Sequence, residues 1–335
     1  MLLIGIAGTE LQPHEHAWLT APGVAGVILF ARNYKSREQL IALVESIRDI
    51  TGEDFLLAVD QEGGPVQRFR DDFTRLPALA KIGAVYDRDP AQAIELAQEH
   101  AWVMASELRA SGIDFSFAPV ADLARGNAAI GTRAFHADPE IAGELIHAYV
   151  RGIHLGGMAA VLKHFPGHGS VAVDTHKAQA IDPRTLDDIR RDDLRPFLEG
   201  FSAHAEAVMM AHVVYPAVDD QPAGYSRRWI GDILRGELGF DGAVISDDIS
   251  MAAAGVAGGV AERVRGHLQA GCDLVLACFP DVVEEAIAAM PTPAEASVQR
   301  IAALRGAVGS TWASLLDNPQ RDQFVARVTA LDLLP

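Results

Sequence analysis

The stretch KHFPGHGSVAVDTH, residues 163–176, concentrates side chains that can do chemistry. A surface turn needs glycine and proline, but it does not need the lysine, the aspartate and the three histidines that accompany them here. Asp174 and His176 are two residues apart, so in an extended segment their side chains lie on one side and a carboxylate–imidazole hydrogen bond is feasible. Such a pair fixes the histidine tautomer and suits the imidazole to exchange protons near neutral pH.

Titratable residues also close five successive apolar segments that have the character of β-strands. They are Asp60, Asp122, the pair Lys163 and His164, His212, and the pair Asp247 and Asp248. Equivalent positions at five strand ends favour one shared site over five unrelated capping groups. Strand periodicity does not choose between Asp247 and Asp248, because neighbouring residues point to opposite faces. We expect one of them to face the site and the other to cap or orient.

Eight apolar segments in all alternate with stretches of helical periodicity. The segments are LLIGIAG, VAGVILFA, FLLAVD, FSFAPVAD, AAVLKHF, AVMMAHV, AVISDD and DLVLACF. This alternation predicts a parallel sheet covered by helices, and neither a Rossmann glycine fingerprint nor a P-loop lysine follows a strand. We therefore predict the α/β class and a single (β/α)8 TIM barrel, in which the strand ends converge on one mouth. The segment TELQPHEHAWLTAPG is too short for a full crossover helix.

The predicted helices include SREQLIALVESIRDI, AQAIELAQEHAWVMASELRASG, PEIAGELIHAYVRGIHLGG and SRRWIGDILRGELG. Several of them begin at Ser, Asp or Pro and end at Gly, as helix capping prefers. Two more helices are predicted in the tail, residues 291–335, packed on the outside of the barrel. Because no repeat, low-complexity run or flexible linker interrupts the chain, we predict one catalytic domain over residues 1–335.

Composition limits the partners of this chain. A formal net charge of −17 argues against nucleic acid and against acidic membrane surfaces, which attract clustered Lys and Arg. No basic leader or bilayer-spanning apolar run is seen, and the two cysteines, Cys272 and Cys278, lie in apolar surroundings that suit reduced thiols. We expect a cytoplasmic protein that acts as a monomer on a small-molecule substrate.

His164 and His168 are four residues apart, which is the spacing of two metal ligands on one face of a helix. Pro166, Gly167 and Gly169 make a helix improbable there, and HExxH is absent from the sequence. We expect neither a catalytic metal nor a cofactor.

Three segments, AVDQEGGPVQRFR, KHFPGHGSVAVDTH and GAVISDDISM, resemble those of the β-N-acetylhexosaminidases of glycoside hydrolase family 3, the NagZ type. GVILFARN, IGTRAFHADP and AGCDLVL extend the resemblance over most of the chain. It implies a TIM barrel that removes terminal β-linked N-acetylglucosamine with retention of configuration, from peptidoglycan fragments in which that sugar is joined to 1,6-anhydro-N-acetylmuramic acid.

The resemblance also implies roles for individual residues. Asp247, directly after the serine of ISDD, is the implied nucleophile; His176 is the implied general acid and base, with Asp174 orienting it. The implied substrate-binding residues are Asp60, Arg68, Arg133, Lys163 and His164. We expect Gly167 and Gly169 to give the loop the freedom to swing His176 into the site.

Three other readings stay open at this point. Lys163 could form a Schiff base in a lyase, since barrels often place such a lysine at a strand end. A phosphorylase is the second, because a neutral histidine repels phosphate less than a carboxylate does. A sugar-binding module without catalysis is the third.

Overall fold

The eight predicted strands form one parallel sheet that closes on itself. The computed structural model describes residues 1–171, 180–251, 258–307 and 309–333. The barrel strands there are β1 (Leu2–Gly5), β2 (Val24–Leu29), β3 (Leu56–Val59), β4 (Phe115–Ser116), β5 (Val161–Phe165), β6 (Ala207–Met210), β7 (Ala243–Asp248) and β8 (Leu274–Ala277). Their order is β4-β3-β2-β1-β8-β7-β6-β5, and single parallel bridges join β4 to β5, which closes the ring. The predicted TIM barrel is confirmed.

Helices surround this sheet. In the described ranges they are α1 (Glu15–Leu19), α2 (Arg37–Thr51), α3 (Leu79–Tyr86), α4 (Pro90–Ala110), α5 (Pro139–Leu155), α6 (Leu186–Arg191), α7 (Leu194–Ser202), α8 (Val260–Ala270), α9 (Pro280–Ala288), α10 (Glu295–Ala302), α11 (Trp312–Leu316) and α12 (Pro319–Thr329). None of the described helices is both long enough and apolar enough to cross a membrane.

The capping residues start these helices as the sequence predicts. The Ser36 side chain accepts a hydrogen bond from the Gln39 N–H at the start of α2, and Gly52 ends that helix with a φ of +79°. Asp89 caps α4 and Asp138 caps α5, each directly before a proline in the first turn. These caps satisfy N–H groups that the helix itself leaves free, so each helix begins at a defined residue.

The helix prediction differs from the structure in two regions. Residues Arg228–Glu237 wind as a π-type helix and not as an α-helix. In its described residues the tail holds three α-helices followed by the 3₁₀ turn Ala330–Leu333, where two helices were predicted. The extra break has a local cause: the Asn318 side chain accepts from the Gln320 N–H, and Pro319 occupies the first turn, so a new helix begins at that point.

The first crossover is short, as predicted, because α1 has only five residues. Short strands that the sequence analysis did not predict add a hairpin, Gln61–Gly63 with Val66–Gln67, and a small sheet of Ala180–Ile181, Val213–Tyr215 and Asp219–Pro222. Each of them follows a strand end, so they build up the mouth of the barrel.

The last helix of the tail lies against α4. Trp102 and Phe324 meet edge to face with ring centres 5.3 Å apart, and Arg327 pairs with Glu95 and Glu99. Trp312 donates its indole N–H to the Ser111 hydroxyl at 2.9 Å. The assignment of the whole chain to one domain stays a prediction.

The close packing of the barrel strands gives a test of the fold. A methyl group added to Gly26, in β2, would lie 2.3 Å from the Leu56 carbonyl oxygen of β3. We expect Gly26→Ala to lower the free energy of unfolding by about 1–3 kcal/mol, because the neighbouring backbone has to move. The midpoint of urea denaturation measures this.

Gly231→Ala is the matched control, since an added methyl group there has nothing within 4 Å and the residue is exposed. Its midpoint should stay the same or rise, because alanine is the better helix former. Equal midpoints for wild type and Gly26→Ala would show that β2 and β3 are not packed as described.

Candidate active site

Six of the predicted site residues line one cleft at the mouth of the barrel. They are Asp60, Arg68, Arg133, Lys163, His164 and Asp247. They come from β3, the hairpin after it, the 3₁₀ turn Gly131–Arg133, β5 and β7. Asp174 and His176 lie outside the described residues.

The floor of the cleft is a network of opposite charges centred on Lys163. Its ammonium group is 2.8 Å from Asp60 Oδ1 and 2.5 Å from Glu62 Oε1, and the lysine is only 2% exposed. Arg68 contacts the other oxygen of Asp60 at 3.2 Å. Burial alone would raise the pKa of Asp60, but Lys163 and Arg68 outweigh it and hold that pKa well below its ordinary range.

Glu62 completes this network, and the sequence analysis did not single it out. Arg133 donates from Nε and Nη2 to the two carboxylate oxygens of Glu62, both at 2.8 Å. Burial opposes the charge of Glu62, yet Lys163 and Arg133 lower its pKa. The sequence could have identified Glu62 by its spacing, because residues two apart in an extended chain, here Asp60 and Glu62, share one face of the strand.

Lys163 is positioned as a hydrogen-bond donor to two carboxylates. A lysine that forms a Schiff base must present the free electron pair of its amine to a carbonyl carbon. The contacts of Lys163 therefore do not favour the hypothesis that it forms a Schiff base in a lyase.

His164 is oriented from behind by Asp122. The His164 Nδ1 atom lies 2.7 Å from Asp122 Oδ2, and the backbone N–H of His168 donates to Asp122 Oδ1 at 2.6 Å. Because a carboxylate accepts, Nδ1 carries the proton, and the Nε2 edge of the ring is left for the cleft. Burial opposes the charge of Asp122, but His164 lowers its pKa. Asp122 thus acts on the site through the histidine.

Irregular pairing at two strand ends aims consecutive residues at the same cleft. Between Lys163 and Phe165, β5 advances two residues while β6 advances one, from Met209 to Met210. Between Ile245 and Asp248, β7 advances three residues while β8 advances two. One extra residue reverses the alternation of sides. Lys163 and His164 therefore both line the cleft, and so do Asp247 and Asp248.

The two aspartates of β7 nevertheless have different surroundings. Asp248 accepts hydrogen bonds from the Ser250 hydroxyl at 2.6 Å, the Ser250 N–H at 3.1 Å and the Cys278 N–H at 3.3 Å. Asp247 accepts from the Asp248 N–H at 2.8 Å, and within the described ranges no cation pairs with it. Asp248 holds the turn that follows β7, whereas the carboxylate of Asp247 is left for the cleft.

The glycines of the long motif differ in part from expectation. Gly167 has a φ of +126°, a conformation that glycine adopts readily, and a methyl group on Gly169 would lie 1.9 Å from the Leu123 carbonyl oxygen. Tyr215 donates to the Gly167 carbonyl at 2.6 Å, and Asn127 donates to the carbonyls of His168 and Val171. Residues 164–169 are therefore buried and anchored, so these glycines serve close packing; motion of His176 stays a prediction.

Comparison with known proteins shows where this architecture belongs. The model of the family described as glycosyl hydrolase family 3 N terminal domain matches residues 3–308. The chain belongs to glycosyl hydrolase family 3. It is 58% identical over 317 residues to a β-hexosaminidase of Stenotrophomonas maltophilia (strain R551-3), 94% of each chain, and 54% identical over 329 residues to one of Xylella fastidiosa (strain 9a5c), 98% of each.

A solved structure is also similar to this chain. The crystal structure of NagZ from Neisseria gonorrhoeae in complex with N-trifluoroacetyl-D-glucosamine superposes with a TM-score of 0.94 at 40% identity, covering 98% of this chain and 97% of that one. The protein is a glycoside hydrolase of the β-hexosaminidase group, and the family resemblance predicted from the sequence is confirmed.

Glu62→Gln tests the charge network without changing the size of the side chain. We expect the free energy of unfolding at pH 7 to fall by about 3–5 kcal/mol, because Lys163 and Arg133 lose a buried partner. Glu140→Gln is the control: Glu140 makes the same two-bond contact with Arg195, at 2.8 and 2.9 Å, but on the surface. There the loss should stay within about 1 kcal/mol.

The pH dependence of the same two variants checks the cause. The pKa of Glu62 is lower in the folded chain than in the unfolded chain, where it is about 4.3. The charge of Glu62 therefore contributes fully to the free energy of unfolding at a pH above about 4.3, and this contribution is lost as the pH falls through the pKa of the folded chain. The difference between wild type and Glu62→Gln should therefore narrow below about pH 4. A difference that stays constant from pH 7 to pH 3 would contradict the charge explanation.

Proposed function

We propose that the enzyme is a retaining exo-β-N-acetylglucosaminidase. It removes a terminal β-linked N-acetylglucosamine through a covalent glycosyl-enzyme, with Asp247 as nucleophile and His176 as general acid and base. The observation that carries the proposal is the contrast among the cleft carboxylates. Asp60 and Glu62 are paired with cations and Asp248 is held by its own turn, while Asp247 has no cation among the described residues.

A carboxylate that attacks a carbon needs its oxygen lone pair available, and pairing with an ammonium or guanidinium group takes that lone pair away. Asp247 meets this condition at the end of β7. In the first step an Asp247 oxygen bonds to the anomeric carbon, the glycosidic bond breaks, and the leaving oxygen takes a proton from His176. In the second step His176 takes a proton from water, the hydroxide bonds to the same carbon, and Asp247 is released.

An unperturbed histidine, with a pKa of about 6.5, can give and take this proton near neutral pH. Asp174 is proposed to orient His176 through a carboxylate–imidazole hydrogen bond, as the two-residue spacing allows. Both residues come from the segment after β5, whose first part, residues 166–169, is buried and anchored.

The charge network supports a sugar as the substrate. Asp60 offers acceptor oxygens, while Arg68, Arg133 and Lys163 offer donors, and together they line the cleft beside Asp247. Sugar hydroxyls both donate and accept, so such a mixed set can hold one pyranose ring. We propose N-acetylglucosamine because the related NagZ of Neisseria gonorrhoeae was solved with N-trifluoroacetyl-D-glucosamine.

The family resemblance suggests the natural substrate. We propose that it is the peptidoglycan fragment in which N-acetylglucosamine is joined to 1,6-anhydro-N-acetylmuramic acid, with or without its peptide. The enzyme would then act in cell-wall recycling, in the cytoplasm, and as a monomer.

Covalent labelling tests the nucleophile. A 5-fluoro N-acetylglucosaminide with an activated leaving group should inactivate the enzyme, and peptide mass mapping should find one sugar on Asp247. Asp247→Asn should lose turnover by about 10⁴-fold or more and take no label, because an amide does not attack the anomeric carbon. A label on another residue, or turnover without any label, would refute this assignment.

His176→Ala tests the acid and base separately. A dinitrophenolate leaves without protonation, so the first step on a dinitrophenyl N-acetylglucosaminide should survive while the second slows by about 10²–10⁴-fold. The glycosyl-enzyme should then accumulate in the mass spectrum, and azide should restore turnover by giving a β-glycosyl azide. His147→Ala is the control, because His147 lies at the surface beside Ser202. Unchanged turnover of the dinitrophenyl N-acetylglucosaminide by His176→Ala would refute the role of His176.

The products decide between hydrolysis and phosphorolysis. Hydrolysis gives free N-acetylglucosamine at the same rate with and without phosphate. A phosphate-dependent rate together with a sugar 1-phosphate would make the enzyme a phosphorylase.

A further inference from the structure

Three aromatic side chains lie together beside the cleft. His212 follows β6, Tyr225 ends the 3₁₀ turn Ala223–Tyr225, and His267 belongs to α8. Tyr225 stacks on His267 with ring centres 3.9 Å apart, and His212 lies 5.6 Å from His267 and 6.2 Å from Tyr225. Both histidines are at most 2% exposed. We call these three residues the histidine cluster.

The contacts of the two histidines define their tautomers. His212 Nε2 lies 3.2 Å from the Asp248 carbonyl oxygen, and His267 Nδ1 lies 2.8 Å from the Gly224 carbonyl oxygen. A carbonyl oxygen only accepts, so each of these nitrogens carries a proton. Burial lowers the pKa of both rings, which favours their neutral forms, and in those forms the other nitrogen of each ring is an acceptor.

Three buried polar atoms of the cluster find no partner among the described residues: His212 Nδ1, His267 Nε2 and the Tyr225 hydroxyl. Two of them are acceptors and the third is a donor. One water molecule can donate hydrogen bonds to the two acceptors and accept one from the donor. Three hydrogen bonds are the usual number for a buried water.

The histidine cluster contacts the end of β7, the strand that carries Asp247. The Asp248 carbonyl that meets His212 also accepts from the Met251 N–H at 3.2 Å, so this oxygen holds the turn that follows Asp247. His212 also lines the part of the cleft that His164, His168 and Asp247 share. The irregular pairing of β7 loosens the regular ladder at this point, which leaves the backbone dependent on such outside contacts.

We propose that His212 is a positioning residue of the glycosidase reaction. Its Nε2–H holds the carbonyl of Asp248 and thereby fixes the backbone that aims the Asp247 carboxylate into the cleft. A buried water, bonded to His212 Nδ1, His267 Nε2 and the Tyr225 hydroxyl, holds the His212 ring from behind. A shift of the carboxylate by a fraction of an ångström is sufficient to slow the attack, because the reacting atoms must be aligned.

This proposal rests on the proposed function, and the experiment separates the two. His212→Phe keeps the ring and removes both nitrogens, so kcat on an N-acetylglucosaminide should fall about tenfold or more while the KM stays within about threefold. His212→Gln places an amide N–H near the position of Nε2 and should restore most of the loss. If wild type fails to cleave the substrate, the proposed function fails, whatever His212 does.

A spectroscopic measurement does not depend on turnover. The ¹⁵N shifts of His212 should show an Nε2–H ring at pH 8, where histidine is ordinarily neutral, whereas an Nδ1–H ring at that pH would overturn the proposal. This also covers the case in which His212→Phe does not fold.

Tyr225→Phe tests the support behind the ring, since it removes the hydroxyl and keeps the stacking. It should lower kcat about twofold to tenfold and shift the His212 Nδ1 resonance. Tyr86→Phe is the matched control, because the Tyr86 hydroxyl bonds Glu144 at 2.6 Å on the surface and its loss should change neither quantity. A kcat for His212→Phe equal to that of Tyr86→Phe would refute the role of His212.

Discussion

The cleft depends on one interaction, the contact of the buried Lys163 ammonium with the carboxylates of Asp60 and Glu62. Removing these charges from water is costly, and each charge is tolerable only because the others are in place. With Arg68 and Arg133 the network joins β3, the hairpin after it, β5 and the 3₁₀ turn that follows β4. The elements that carry these groups are therefore locked to one another at the mouth, and the cleft presents donors and acceptors that are already oriented.

Around this fixed floor, contacts with the backbone hold further residues that line the cleft. Asp122 orients His164 and binds the N–H of His168, so one buried carboxylate sets both a cleft histidine and the start of the loop after β5. Asp248 likewise fixes the turn after β7, because its carboxylate accepts hydrogen bonds from the Ser250 hydroxyl and from the Cys278 N–H. In both places an aspartate at the end of a strand positions a neighbouring residue or turn, and the residue beside it, His164 or Asp247, faces the cleft.

Much of this arrangement follows from local sequence. Buried parallel strands read as short apolar runs, and the residues after them face a common mouth, so the barrel and the positions of Asp60, Lys163 and His164 were predictable. Glu62 was not singled out, because its partners are 71 and 101 residues away. The preference for Asp247 over Asp248 rests on the hydrogen bonds that Asp248 accepts from Ser250 and from the Cys278 N–H. Periodicity does not reveal these contacts, and in the sequence the preference came from the family resemblance alone. The π-type winding of Arg228–Glu237 likewise has no signature that the helical pattern shows.

The extra residue in β5 and in β7 limits how these strand ends can change length. Removing one residue between Ile245 and Asp248 would restore regular pairing with β8 and turn one of the two aspartates away from the sugar, although every side-chain type would remain. The same holds between Lys163 and Phe165 on β5. At these two points the spacing of the chain itself decides which side chains reach the cleft, so a one-residue gap in a relative at either place would change the lining of the cleft more than a substitution would.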